Sequence, residues 1–486
     1  MIPALIPNWI GGREQPALCA EVLPKVSPHD GTPLTVVTRS RAADVAQAVA
    51  AAEAAQPGWA DVPAVQRGLI LHALVRQLQD NSATMAEIVA RETGKSLKDA
   101  RGEVGGAIQL GLFYASEGQR LYGRTTTSGT AHKYAMTVRQ PIGIAGLIIA
   151  ANTPVANVAW KVFPALICGN AAVLKAAEDT PATAWYFGRL AAAAGLPAGV
   201  LNIVQGYGHE AGAALVGHPA IRVLSFTGST RVGRLIQQQA GPRLARISLE
   251  LGGKNALVVC DDAELENAVK WTLLSAFSNA GQRCAAASRI IVHEAVYARF
   301  RDLLLERTAR LRVGPADSDD LGPVINERQL GNMLRHIRQA CDEGATLLAG
   351  GRRLDDAAHA AGFYLAPTLL EGVAHDAPLS CEELFGPVAA LYRVGSYAEA
   401  LALANRSPYG LTACIHTRNF HRAVHFCDKV NTGVAVVNAG TYGSEPHMPF
   451  GGTKDSGNGS REPGTEALNV YSELKDIYLN IDPGAF

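Results

Sequence analysis

The sequence predicts an α/β protein built on a doubly wound parallel sheet, and three observations carry that expectation. Short apolar runs recur after Pro141, segments of helical composition separate them, and the 486-residue chain is long enough for two or three domains. Strands alternating with helices fold into a parallel sheet covered on both faces, because the crossover between parallel strands takes a helix's length.

From Ala42 to about Gln119 the pattern is helical. It is Ala-rich to Ala55, then shows Leu71, Leu74, Leu78, Met85 and Ile88 at helical spacing, with Pro57, Pro63 and Asn81 expected as breaks. Between Leu121 and Gln140 the chain turns polar and β-branched, which predicts an exposed extended ribbon. The apolar runs 142–149, 171–175, 200–204 and 221–226 then predict strands, with a helix over 181–194. A second α/β series is expected to begin near Ile247 and to continue through 256–259, a helical stretch at 263–278, 290–292 and 434–438. The tail from Tyr471 to Leu479 reads as a strand that would pair with the ribbon or with a neighbouring chain.

Composition narrows the function classes. Forty-four basic side chains balance forty-four acidic ones, so no cationic excess exists to bind nucleic acid or anionic lipid. The N-terminus has no basic segment of a signal peptide, and the most apolar stretch, 145–160, is interrupted by Asn152, Pro154 and Asn157. No nucleic-acid partner and no membrane span are expected. Eight cysteines occur without a C-x-x-C pair, so neither a zinc cage nor a disulfide framework is signalled, no metal site is expected, and a reducing cytoplasm is the natural compartment. In such a compartment most cysteines are small buried hydrophobes.

Several runs carry possible chemistry. Glu92-Thr-Gly-Lys-Ser96 echoes a phosphate loop, but Val89 stands where the first glycine belongs, so the run reads as a helix end. Gly206-Tyr-Gly208 and Gly212 have the wrong spacing for a dinucleotide fingerprint and suit a plain strand-to-helix turn equally well. In Phe226-Thr-Gly-Ser-Thr230 an apolar strand ends in a turn whose N–H groups open a helix, a place for either a pyrophosphate or a simple N-cap. Glu250 ends a strand before two glycines, and Cys284 follows Gly281 and Arg283, whose guanidinium favours a thiolate if it points the same way; a solvated carboxylate and a structural thiol are the competing readings.

Together, Asn152, Lys175, 226–233, 250–255, 281–284, Glu383-Leu-Phe-Gly-Pro387 and Pro449-Phe-Gly-Gly452 resemble the NAD(P)-dependent aldehyde dehydrogenase superfamily, over nearly the whole chain. The resemblance implies a Rossmann-like cofactor domain (1–120 and 141–249), a second α/β catalytic domain (250–448), and a β oligomerisation arm with the C-terminal tail (121–140 and 449–486). It implies Cys284 as nucleophile, Glu250 as the base that activates water, Asn152 as oxyanion donor, and Lys161 as a further catalytic residue. For the cofactor it implies Lys175 and Glu178 at the adenosine ribose, Ser229 at the pyrophosphate, Glu383 and Phe385 at the nicotinamide ribose, and Gly208, Phe226, Thr227, Gly228, Glu250, Leu251 and Gly252 along the dinucleotide. A carboxylate at 178 would repel a 2′-phosphate, so NAD is expected over NADP.

Two departures bear on the substrate. The family's Pro-Trp-Asn-Phe-Pro is here Ala150-Ala-Asn-Thr-Pro154, and Asn157 replaces an apolar residue, which together widen and polarise the tunnel. Arg283 is expected to meet an anionic group on the aldehyde or to sit in a structural salt bridge. Trp160, Tyr442 and Phe450 complete the expected substrate wall, with Glu445 and His447 at its entrance. The implied reaction is oxidation of a small polar aldehyde, including one that carries a carboxylate, to the free acid by a homodimer or homotetramer. The rivals are an acyl-transferring or thioesterase-like enzyme using Cys284, and a non-catalytic dinucleotide-binding scaffold.

Overall fold

The computed structural model describes residues 2–485 and contains two seven-stranded sheets. The first has the order Arg246–Glu250, Ile221–Thr227, Ile144–Ile148, Ala171–Lys175, Leu201–Val204, Asn8–Ile10 and Arg13–Gln15. Its first five strands run parallel, and the last two pairings, through Asn8–Ile10 to Arg13–Gln15, are antiparallel. The strand near Ile247, expected to open the second series, therefore closes the first sheet. Its partner is Val223 to Thr227, and Leu249 is buried in one cluster with Phe226 and Ile236, which fixes the strand there.

Helices α1 (Ala42–Asp61), α2 (Ala64–Asp80), α3 (Ser82–Thr93) and α4 (Leu97–Glu117) precede the parallel strands, and α5 (Pro154–Ile167) and α6 (Pro181–Ala193) alternate with them. Pro63 and Asn81 fall at helix boundaries, but α1 continues through Pro57. That proline and Glu53, whose carbonyl loses its partner, both lie on the exposed face, where water replaces the missing N–H. Leu71, Leu74 and Leu78 of α2, Val104 of α4, Phe163 of α5 and Phe187 of α6 share one core with Leu147 and Leu174 of the sheet.

The second sheet has the order Thr346–Ala349, Thr368–Glu371, Val388–Val394, Ala287–His293, Asn255–Val259, Thr412–His416 and Val434–Val437, antiparallel only at its first pair. The ribbon forms the strands Thr125–Thr127 and Lys133–Pro141, and the tail strand Ser472–Asn480 pairs along the whole of the latter, from Ser472 opposite Pro141 to Asn480 opposite Lys133. Among the described residues no helix is long and apolar enough to cross a membrane.

One topological feature positions the site. The chain leaves strand Ile144–Ile148 toward Ala171–Lys175 on one side and later returns to Ile221–Thr227 on the other. Loops diverge at such a switch point and leave a crevice at the carboxyl ends of the strands.

Candidate active site

Parallel register collects distant residues at one edge. Glu250 pairs beside Thr227, Phe226 beside Ile148, and Ile148 beside Lys175. From Glu250 the short link 251–254 crosses to the second sheet, where Asn255 donates from Nδ2 to the carbonyls of Cys284 (2.7 Å) and Ala286 (2.9 Å). The carboxylate and the thiol are thus tethered to one connection. The cleft between the sheets encloses about 2570 Å³, well beyond the roughly 300–1,000 Å³ of a single small-ligand site, and has room for two ligands.

The segment before Cys284 is held in an unusual conformation. Asn279, Ala280 and Gly281 take φ of 54°, 52° and 66° in succession, a costly arrangement that persists only where the surroundings enforce it. Gly281 is obligatory, since a Cβ there would lie 2.2 Å from the Gly386 carbonyl oxygen. Gln282 Oε1 accepts from Ile325 N (2.9 Å), and Thr441 Oγ1 donates to the Ala285 carbonyl (2.6 Å), so both flanks of the thiol are pinned. Cys284 packs against a small buried cluster of Ala285, Leu411 and Phe450, as do Trp160 and Tyr442. Burial, then the charges of Glu383 and Glu250, push its thiol up to about 12. Asn152 donates from Nδ2 to the Gln282 carbonyl at 3.0 Å, which ties the amide to the nucleophile's own loop.

Glu250 is buried, and neither of its carboxylate oxygens has a hydrogen-bond partner. Burial and the nearby Glu462 raise its pKa well above the carboxylate range, with Lys161 and Arg461 opposing. Lys161 lies behind that carboxylate. It is absent from the cleft wall and lies fully buried, donating to Glu462 Oε2 (2.9 Å) and Ser225 Oγ (2.6 Å). A desolvated ammonium stays with its counter-charge, and Glu462 supplies that charge inside the core.

The residues expected at the cofactor line the cleft with one exception. Gly208, Phe226, Thr227, Gly228, Ser229, Leu251, Gly252, Glu178, Glu383 and Phe385 are all on its wall, whereas Lys175 is buried beneath, its Nζ 2.8 Å from Glu178 Oε2. The lysine ends a central strand, so its ammonium is spent on the carboxylate that does reach the cleft. Although burial opposes it, the charge of Lys175 holds the Glu178 carboxyl below its ordinary value.

These residues fit a dinucleotide. The Thr230–Ala240 helix begins at the cleft with Ser229 as N-cap, and Thr227 Oγ1 is a buried hydroxyl without a partner. Glu383 Oε1 accepts from Gly253 N at 3.0 Å, and a Cβ on Gly252 would lie 2.2 Å from Glu383 Oε2, so only glycine admits that carboxylate. Burial pushes Glu383 up to about 7.

Asn157, Trp160, Arg283, Tyr442 and Phe450 all line the same cleft. Trp160 and Phe450 meet edge to face, with ring centroids 5.5 Å apart. Arg283 lies over the Tyr442 ring at 4.6 Å, its Nε is buried without a partner, and among the described residues it forms no ion pair. The structural salt bridge weighed from the sequence thus has no partner. Asn157 is more constrained than expected: its Nδ2 donates to the Thr153 carbonyl (3.0 Å) and Oγ1 (3.1 Å), closing the start of α5. Glu445 is on the cleft wall, and His447, which is not, lies 3.5 Å from it.

Residues 17–477 match the model of the Aldehyde dehydrogenase family. The chain belongs to that family. The alpha-ketoglutaric semialdehyde dehydrogenase of Bacillus subtilis (strain 168) is 37% identical to this aldehyde dehydrogenase over 475 residues, 97% of each chain. The succinate-semialdehyde dehydrogenase of Escherichia coli (strain K12), whose name specifies NADP(+), is 36% identical over 474 residues, again 97% of each. The solved betaine aldehyde dehydrogenase of Staphylococcus aureus, in complex with NAD+, superposes with a TM-score of 0.96 at 29% identity, covering 98% of this chain and 95% of that one. The architecture is accordingly the aldehyde dehydrogenase fold, and the enzyme is an oxidoreductase acting on aldehydes through a nicotinamide dinucleotide.

Four residues around the aldehyde dehydrogenase cleft escape sequence reasoning. Asn255 lies inside the Gly-Gly-Lys-Asn run but gives no local sign of holding Cys284. Lys95 belongs to the run set aside as a helix end, yet lines the cleft and donates to the Asn152 carbonyl at 2.7 Å. For Glu103 and Glu462 the partners that bear on the site, Val155 and Lys161, lie far away in the chain, so no local pattern gives their roles.

Proposed function

We propose that this aldehyde dehydrogenase oxidises a small polar aldehyde bearing a distal carboxylate to the free acid, with NAD preferred over NADP. The observation that carries the mechanism is the buried, unpartnered carboxylate of Glu250 on the same cleft as Cys284. The Cys284 thiolate adds to the carbonyl carbon, forming C–S while the π pair moves to oxygen. One Asn152 N–H remains after the bond to Gln282, and with the Cys284 backbone N–H it holds the resulting oxyanion. Bound NAD would supply the hydride acceptor that turns the thiohemiacetal into a thioester. Glu250 then takes a proton from water as its oxygen attacks, the C–S bond breaks, and Cys284 departs as thiolate. A hydrolytic base of this kind disfavours transfer of the acyl group to another carrier.

Arg283 supports the substrate class, since its guanidinium faces the cleft without an ion pair and would take a carboxylate in a charge-assisted bond. The names of the two semialdehyde-oxidising relatives support the same class. Glu178 supports NAD, because a carboxylate accepts from both ribose hydroxyls and repels a 2′-phosphate. In this reading 1–120 and 141–249 hold the dinucleotide, 250–448 carries the thiol, and 121–140 with 449–486 joins two copies into a homodimer or a pair of dimers in a reducing cytoplasm. Exposed Tyr134, Leu474 and Tyr478 on the arm are the surface a second copy would cover. Absorbance of NADH, followed with carboxylated semialdehydes and uncharged aldehydes of equal length, tests the reading. Higher kcat/KM for the carboxylated series is expected, and equal values or no NADH would overturn it.

A further inference from the structure

The Glu92-Thr-Gly-Lys-Ser96 run, which lacks the first glycine of a phosphate loop, ends at the most enclosed ion pair on the cleft wall. Lys95 Nζ lies 2.6 Å from Glu103 Oε2, with the two side chains 3% and 5% exposed. The same ammonium donates to the backbone carbonyl of Asn152 at 2.7 Å. The other carboxylate oxygen, Glu103 Oε1, accepts from the backbone N–H groups of Val155 (3.0 Å) and Ala156 (3.3 Å). Those are orphan donors at the start of α5, where Pro154 has no N–H and Thr153 makes no side-chain cap. A carboxylate from α4 therefore performs the capping that the local sequence does not provide, and a lysine joins that cap to the loop before it.

From this geometry we infer that Lys95 and Glu103 are positioning residues for the Asn152 amide, and this inference rests on the oxyanion role given to Asn152 above. Asn152 sits between two anchors. Its carbonyl is held by Lys95 and its amide is tied to Gln282, so one Nδ2–H is fixed and the second is aimed by the peptide plane behind it. Burial makes the clamp stiff, since an ammonium enclosed with its counter-charge cannot exchange partners with water. The clamp makes no hydrogen bond to the thiol or to the carboxylate base; Lys95 reaches the site through Asn152, while Glu103 also caps α5.

The test is a double-mutant cycle in the full-length enzyme, measuring kcat, aldehyde KM and NAD affinity by quenching of protein fluorescence. Lys95→Met is expected to lower kcat by about 100-fold, the scale of a misplaced catalytic group, with KM and NAD affinity unchanged. In an Asn152→Ala background the same substitution is expected to have no further effect, since coupled sites are non-additive. Lys95→Arg restores part of kcat. If Lys95→Met does not fold, the isosteric Glu103→Gln carries the same cycle with a smaller loss. An equal loss in both backgrounds, or unchanged kcat, would overturn the positioning role. Absence of NADH production by the unmodified enzyme would instead overturn the functional reading beneath it.

Discussion

Glu250 and Glu462 are two buried carboxylates on neighbouring parts of the fold, and their surroundings are opposite. Glu462 accepts from Lys161 Nζ (2.9 Å), Ser225 Oγ (2.8 Å), Ser248 Oγ (3.2 Å) and Tyr471 Oη (3.1 Å), and is fully enclosed. Glu250 accepts from nothing. A satisfied buried carboxylate stabilises the fold around it, whereas an unsatisfied one destabilises the fold and is retained where its proton affinity serves a reaction. The difference separates a structural from a chemical acid more sharply than burial does.

Substitutions at Glu250 and at the counter-charge of Glu462 should therefore fail in different ways. Glu250→Gln is expected to lower steady-state turnover by about 10³-fold, within the range for a lost general base, while the melting temperature holds or rises. A matching loss of stability would erase the contrast. Lys161→Met leaves Glu462 without its counter-charge and is expected to cost about 3–5 kcal/mol of stability by chemical denaturation. An unchanged midpoint would show that the pair is not the structural unit described. Arg283→Ala is expected to raise KM about tenfold for carboxylated aldehydes, as for a lost charge-assisted bond, and to leave neutral ones unaffected.

The pH profile gives the smallest effect and a sign. Cys284 and Glu250 both act deprotonated and both are pushed upward, chiefly by burial, so activity falls as pH drops and climbs on the alkaline side. Glu383, pushed up to about 7, adds a rise in NAD affinity as pH increases through neutrality. A flat profile from neutral to alkaline pH would contradict these surroundings.

What could be read beforehand follows from where the determining partners lie. The apolar runs at 171–175 and 221–226 became strands because their pattern and their burial are local. The pattern near Ile247 starts a new run of strands and helices but is silent on which neighbour the strand joins, a choice made by Leu249 packing with Phe226 in the first sheet. Of the N-terminal strands, Leu5–Ile6 is only two residues long, and Val22–Val26 and Pro33–Thr38 each carry a proline, which leaves little periodicity to detect. In the site, glycines mark the turns beside Cys284 (Gly281) and Glu250 (Gly252 and Gly253), whereas Asn152, within Ala150-Ala-Asn-Thr-Pro154, is singled out by the family resemblance alone. Lys161 and Lys175 are buried against Glu462 and Glu178; the first partner lies 301 residues away, where no local pattern points to it, whereas the second is three residues on.

The central claim, that Cys284 carries the acyl group and Glu250 releases it, is tested most directly by trapping. Glu250→Gln enzyme, mixed with aldehyde and NAD and quenched in acid, should yield NADH equal to the enzyme present and an intact-mass increase of one acyl group, located at Cys284 by peptide mapping. A mass shift on another residue, or none while NADH continues to form, would contradict the account.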